Sequence, residues 1–555
     1  MAGVAALAAL GAAARACQLA TPSFTDEQAA QGLAIAYELR ARFLPPDPVK
    51  QVASLLLQLP AELLTVILSR LNTGVRVTHL AATCLLLWSD ARTPPPPRDI
   101  GPMEAELRRR AKARGLDVGS SLPDSAPSWV PYLLKRDRRD AQMRQAPIAV
   151  GPQHSIFVDK GGRLLTCGRD IEHTPLLGHA LDPNAEPVAC REIGPPTPVP
   201  SMQNRRIVSV ATSDVHSLAL SADGEVYSWG NNDFGTLGHG DLDDRAVPSK
   251  IELLSRIEGI AAGPNWTSAA VDENGRLFTW GKAVFFDEDD EDSDGEQEVD
   301  VPNGLGYEIN LESSSCQLTP QWVDALSQDR VVGVALGNGF TLAVTDAGEV
   351  ISFGFSRQGG LGHGSLESME LPWWIEAPAE MGRVVSVAAG TSHAIALTEG
   401  GELYGWGAGN VNGHGRVECT PHRVAALIGQ RVKLVLAQGS SSCAVTEKGE
   451  VFTWGVPWLG DFGGFGTGGF LGSFLGHSVA TPQATPKRVE AMVGTRIAAV
   501  AMGCCHTLAA DEDGVVWAFG GGWALGLGGP TPEEAGRVFT PTPIPTLRVC
   551  TLISP

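Results

Sequence analysis

Paired cysteines are missing from this sequence. Its ten cysteines include no C-x-x-C pair, and only Cys504 and Cys505 are adjacent. In a chain of 555 residues that spacing reads as reduced, intracellular thiols rather than a disulfide framework. Long apolar runs are missing too. The start, MAGVAALAALGAAARACQLA, has no basic leader, and its apolar run is too short to cross a bilayer. A capping or packing helix is expected there, with a transit peptide as the alternative because no acidic residue precedes Asp26. Basic charge is scarce where most of the chain lies. Residues 1–144 hold 18 Lys and Arg against 13 Asp and Glu, whereas the remainder holds 24 against 49. So acidic a body is a poor polyanion binder, which argues against nucleic acid as a partner. The strings H-E-x-x-H, G-x-S-x-G and G-x-x-x-x-G-K-S/T are also absent, and with them the simplest signs of an enzyme.

What is present is a sentence written several times. HSLALSADGEVYSWGNNDFGTLGHG begins at His216, and HAIALTEGGELYGWGAGNVNGHG begins at His393. An aromatic-Gly or Cys-Gly landmark recurs seven times, at Cys167-Gly168, Trp229-Gly230, Trp280-Gly281, Phe353-Gly354, Trp406-Gly407, Trp454-Gly455 and Phe519-Gly520. A glycine turn precedes each landmark, and a short small-apolar run precedes each turn, which is the pattern of an antiparallel hairpin. A third strand stands before most hairpins, as in IVSVAT from Ile207 and IAAVAMG from Ile497. Pro-led segments such as TPHRV from Thr420 offer a fourth. Four short strands repeated seven times predict an all-β seven-bladed propeller with four-stranded antiparallel blades.

The strings H-S/T-x-A-L, D-G-x-V-Y-x-W-G and G-x-L-G-H-G resemble the regulator-of-chromosome-condensation repeat, over about residues 145–555. The resemblance implies a ring closed by strands from both chain ends, with RVCTLIS, ending at Ser554, as the closing text. Unit three departs from it, with Trp266-Thr267 read in place of His-Ser and the acidic insertion FFDEDDEDSDGEQEVD after the landmark. Unit six carries the excursion VPWLGDFGGFGTGGFLGSFLGH. Nine of twelve histidines recur once per unit: His154, His216, His393 and His506 in the opening strand, and His179, His239, His363, His414 and His477 in the glycine loop. Residues on separate blades do not converge, so structural hydrogen bonds are expected of them rather than a metal site. Plant ultraviolet-B receptors share this propeller and use clustered tryptophans. Their arginine-flanked tryptophan motif is missing here, so the tryptophans read as packing.

The prologue QLPAELLTVILSRLNTGVRVTHLAATCLLLW runs from Gln58 to Trp88. Pro60 suits a first helical turn and Glu62 the positive end of the helix dipole. Leu63, Ile67 and Leu71 then form a stripe widened by Leu64 and Leu68, and a second helix would align Leu80, Cys84 and Trp88. This resembles an F-box, the helical module that docks the Skp-family adaptor of cullin-based ubiquitin ligases. Leu59-Pro60-x-Glu62-Leu63 and Ile67-Leu68 match its best-marked half, whereas Cys84 and Trp88 stand one residue wider than its Cys-x-x-Trp. An amphipathic hairpin packed on the propeller or on the N-terminal helices is the alternative.

The expected organisation is an Ala-rich helical segment (1–50), an all-α F-box-like module (51–92), a Pro-rich linker with basic helices (93–144) and the propeller (145–555), interrupted by the acidic insertion (286–300). The resemblances imply a non-enzymatic adaptor, cytoplasmic and/or nuclear. Leu59, Pro60, Glu62, Leu63, Ile67, Leu68, Leu71, Leu80 and Trp88 would face a Skp-family adaptor carrying its cullin, while the propeller holds an unknown protein substrate. The alternatives are an exchange factor for a Ran-like small GTPase and a scaffold with no ubiquitin link. No cofactor, metal, membrane or nucleic-acid partner is expected. The ten carboxylates between Asp287 and Asp300 repel one another and bury little apolar surface. Deleting residues 286–300 is therefore expected to leave the thermal unfolding midpoint nearly unchanged; a large drop would mean that the segment is docked.

Overall fold

The computed structural model describes residues 147–170, 174–180, 192–264, 266–282, 304–307, 316–456, 475–477, 481–503, 506–520, 525 and 538–549. Contacts divide the chain near residue 141, and every described residue belongs to the second unit. That unit is a propeller of seven blades, each a four-stranded antiparallel sheet with its strands in chain order. Blade 2 is typical: Ile207–Thr212, His216–Ser221, Val226–Gly230 and Arg245–Lys250 run from the axis to the rim. The other blades span 148–198, 257–322, 331–374, 384–423, 432–488 and 497–548. Each first strand lies beside the first strands of the blades before and after it, so these seven line the axis. The fourth strand, only suggested by the Pro-led segments, is present in every blade.

The landmark stands at or one residue before the end of each third strand for a steric reason. Gly230 has φ +113°, and a side chain there would meet the Val215 carbonyl oxygen at 2.5 Å. The glycine therefore lets the turn between the first two strands close over it, and all seven landmark glycines share its positive φ. The residue before it fills the gap between blades. Trp229, Trp280, Trp406 and Trp454 are fully buried. Their Nε1–H groups donate to carbonyls of the preceding blade, those of Leu176, Thr236, Gly360 and Val411, each at 2.8 Å.

The opening histidines form a second set of ties. His216 Nε2 lies 2.7 Å from Ser268 Oγ of blade 3, and His393 Nε2 lies 2.7 Å from Ser442 Oγ of blade 6. His154 meets Ser217 and Thr212 of blade 2, and His506 meets Ser155 of blade 1 at 2.8 Å. Ser268 and Ser442 give their own protons to the Thr236 and Val411 carbonyls, so the histidine Nε2–H is the donor. Burial holds these imidazoles neutral, with pKa values lowered to about 4 at His154 and about 3 at His216, His393 and His506.

Unit three corrects the sequence reading by one residue. Thr267 stands opposite Gly281 as His216 stands opposite Gly230, so Thr267-Ser268 occupies the His-Ser place. Trp266 belongs to the preceding turn, where its φ is +51° and its carbonyl accepts the Lys282 N–H at 2.9 Å.

The ring closes with help from the C-terminal end. Val549 bridges Asp159 and donates its N–H to the Gly514 carbonyl at 3.0 Å. Ile207 and Ile497 make the same two contacts, pairing Ser221 and Asp511 and donating to Gly162 and Gly449. Val549 is thus the first residue of blade 1's innermost strand, which resumes at Ile148. Residues 550–554 of the expected closing segment lie outside the described residues. Val549 is fully buried in one apolar cluster with Ile148 and Phe157 of blade 1 and Leu508 and Ala518 of blade 7.

Two outcomes follow from these ties. A histidine whose folded pKa lies below its unfolded value stabilises the fold above about pH 6.5, and that contribution declines as pH falls toward the folded pKa. Asp214, whose carboxyl burial pushes up to about 6, acts in the opposite sense between about pH 4 and 6. Acidification through that window should lower stability by about 4 kcal/mol per pH unit from these five groups, four histidines against one carboxyl. His393→Phe copies Phe340, which fills the same place in blade 4, and should lower the slope by about one proton; parallel slopes would show that His393 is not titrating. Deleting residues 548–554 should lower the unfolding temperature of the whole propeller in one transition. Loss of a single blade in an early, separate transition would contradict closure through Val549.

Candidate functional site

Successive strands reverse direction, so the turns joining strands one and two emerge on the same face as the loops joining strands three and four. The long connections depart from strand ends on this loop face. One leaves after Lys282, where the acidic insertion begins, and another after Gly455, where the glycine-rich excursion begins. The acidic run and residues 457–474 of the excursion lie outside the described residues. So do all nine residues assigned to the F-box face: Leu59, Pro60, Glu62, Leu63, Ile67, Leu68, Leu71, Leu80 and Trp88.

At the root of the acidic insertion, Lys282 meets two aromatic rings. Its Nζ stands 4.6 Å from the Trp266 ring centroid and 4.8 Å from that of Phe234, and the rings themselves are 5.1 Å apart. Phe234 comes from the glycine loop of blade 2, Trp266 from the first turn of blade 3, and Lys282 from the end of that blade's third strand. A cation held this way gains about 0.5–2 kcal/mol, depending on its exposure. The sequence reading passed over this group because Phe234 and Lys282 sit inside repeat text. The one signal was the aromatic at Trp266, which was assigned to the wrong place in the strand.

The glycine-loop histidines are used within their own blades. His179, His239, His363 and His477 approach Thr166, Ser228, Ser352 and Thr453 at 2.8–3.1 Å, and His414 approaches the His422 carbonyl at 3.0 Å. Burial lowers the pKa of His239, His363, His414 and His477. It also raises the thiol pKa of Cys167 and Cys443 far above the reactive range. Among the described residues, no three His, Cys, Asp or Glu side chains meet to hold a metal ion. No described helix is long and apolar enough to cross a membrane. The opening-strand histidines are thus engaged at blade boundaries and the glycine-loop histidines within their own blades.

The family profile described as RCC1-like domain matches residues 196–554. The ultraviolet-B receptor UVR8 of Arabidopsis thaliana is 34% identical over 243 residues, 43% of this chain and 50% of the receptor. The human E3 ubiquitin-protein ligase HERC2 is 36% identical over 379 residues, 66% of this chain and 7% of the ligase. The chain thus spans half of one relative and a small part of the other. Among solved structures, Prp20p of Saccharomyces cerevisiae, described with its binding to Gsp1p and histones, superposes with a TM-score of 0.53 at 21% identity, covering 73% of this chain and 89% of its own. Seven blades in the expected order, with the landmark at each blade boundary, agree with these matches: the chain belongs to the RCC1-like domain family.

Proposed function

We infer that this protein is a non-enzymatic adaptor whose propeller recruits another protein, and that residues 51–92 link it to a Skp-family adaptor and cullin as an F-box does. The observation that carries the recruiting role is the inward commitment of the repeat's polar chemistry. Its histidines and tryptophans tie blade to blade, which leaves the outer surface for binding. The ubiquitin link draws on the Leu59-Pro60-x-Glu62-Leu63 motif and on the order of helical module, Pro-rich spacer and propeller. A propeller similar to this one also forms part of the ligase HERC2. In this reading Leu59, Pro60, Leu63, Ile67 and Leu71 contact the adaptor, and ubiquitin chemistry is supplied in trans.

A second reading, exchange factor for a Ran-like small GTPase, is favoured by the fold shared with Prp20p and its described binding to Gsp1p. Fold alone does not transfer an activity.

Affinity purification of the full chain separates the two. Skp-family adaptor and cullin in the eluate support the first reading, and a nucleotide-free GTPase supports the second. Leu59→Ala with Pro60→Ala should abolish co-purification of the adaptor while the propeller unfolds at its usual temperature. If these residues instead pack inside the protein, the double variant should lose stability, about 2–5 kcal/mol for a buried leucine. Wild-type protein that captures no Skp-family adaptor ends the ligase reading.

A further inference from the structure

The rim of blade 4 breaks a rule that other blades keep. In blades 2, 5 and 6 the glutamate opening the third strand pairs with a base at the end of the outer strand. Glu225 meets Lys250 at 3.0 Å, Glu402 meets Arg423 at 2.6 Å, and Glu450 meets Arg488 at 3.2 Å. Blade 4 keeps the glutamate, as Glu349, but register places Trp374 where the base should be. Glu349 is exposed, and no Lys or Arg among the described residues pairs with it. Glu370 within the same outer strand and Glu376 just beyond it are likewise exposed and without a described ion-pair partner.

The strand itself is unusually apolar for an edge. Leu371 is 50% exposed, Trp373 59% and Trp374 41%. Most of the other exposed large apolar residues recur at equivalent places in more than one blade: Leu242, Leu366 and Val417 after the glycine loop, and Ile428 and Val493 after the outer strand. They belong to the repeat. Leu371 and Trp373 do not, and Trp374 shares its place with Trp322 of blade 3, where Arg276 rather than a glutamate stands before the third strand. Large exposed apolar side chains gathered on one strand mark an interaction surface. Pro372 removes an N–H from this edge, so a partner is recognised by side chains rather than by added strand hydrogen bonds.

We propose that the outer strand of blade 4, Met369–Trp374, is a docking surface for a basic, extended segment of a partner protein. The two tryptophans take the aliphatic stems and cationic heads of Lys or Arg, and Glu349, Glu370 and Glu376 supply the opposite charge. Charge selects the occupant. From Gln358 to Gly382 the chain carries four glutamates and no Lys or Arg, on a protein whose net charge is −20. An acidic partner segment would be repelled, and a purely apolar one would leave the carboxylates unmatched. The proposal rests on the reading of the propeller as a protein-recruiting module, and it names the chemistry of what is recruited.

The test uses the full chain and a fluorescein-labelled peptide of alternating Arg and Ser, followed by anisotropy at about 50 mM and about 300 mM salt. Wild type should bind, more weakly at the higher salt. Trp373→Ala with Trp374→Ala should weaken binding about tenfold or more. Trp374→Arg, which restores a partner to Glu349, should weaken it comparably. Leu253→Ala with Ile428→Ala alters equally exposed residues of other blades and should bind as wild type does. Equal affinity of the tryptophan variants and this control would show that the peptide reads only net charge and would overturn the proposal, as would no binding by wild type. Should the double alanine variant unfold early, Glu370→Lys with Glu376→Lys tests the same surface without removing apolar contacts, and unchanged binding there also overturns it. Adaptor co-purification, measured on the same proteins, keeps the readings apart. Adaptor capture without peptide binding removes only the rim site, and peptide binding without adaptor capture removes only the ubiquitin link.

Discussion

The ring depends on a side-chain contact that each blade offers the next, at four of its seven boundaries a hydrogen bond. A side chain at the start of a blade's second strand reaches across to the residue one step further along in the following blade. At four boundaries it is a histidine meeting a hydroxyl: His154 with Ser217, His216 with Ser268, His393 with Ser442 and His506 with Ser155. A buried polar group without a partner costs about 1–3 kcal/mol, so the two positions cannot vary independently. Where blade 4 has Phe340, blade 5 has Ala394, and both lie in one apolar cluster. Where blade 3 has Thr267 and blade 6 has Ser441, the following blades carry Thr341 and Thr507. Residue type is thus matched across these boundaries, although Ser441 Oγ itself is buried without a hydrogen-bond partner. This coupling removes the histidines from chemistry: neutral, buried and engaged, they have neither the exposure nor the pKa of a general base.

Most of the architecture was legible because a repeat states each constraint seven times. The landmark glycine recurs because only glycine tolerates both its φ and the carbonyl beside it, so its spacing counts the blades. Errors arose where a unit lacks its usual side chain. In unit three the missing histidine let Trp266 be taken for it, a slip of one residue that only strand pairing with Gly281 resolves. The agreement between Phe340 and Ala394 was also invisible, since sequence order does not show which blades' side chains meet. The group formed by Phe234, Trp266 and Lys282 was missed for the same reason. The adaptor-facing residues from Leu59 to Trp88 remain where the motif alone puts them, outside the described residues.

Charge on this molecule is organised by position as well as by amount. At the rim, blades 2, 5 and 6 neutralise their own glutamates with Lys250, Arg423 and Arg488, and such exposed pairs contribute little to stability. Their greater effect is to leave those rims electrically quiet. Replacing one base with Trp374 therefore changes recognition more than folding, which is how a repeat can gain a distinctive surface without disturbing its core. Lys282, set between two rings where the carboxylate run departs, fixes one cation on the loop face by the same aromatic physics.

Because Val549 begins a strand that Ile148 continues, the ring has a temporal order as well as a spatial one. Blade 1's own strands end at Pro198, yet its innermost strand waits for a residue roughly 350 positions later. At about 5–20 residues per second, a ribosome needs tens of seconds to deliver it. Throughout that interval the flank of blade 1, which carries Ile148, Phe157 and Leu165, lacks the blade 7 residues it packs against in the closed ring. The nascent chain thus holds an open apolar seam until Val549 has emerged, and chaperones that shield such surfaces have most to do on this protein before then.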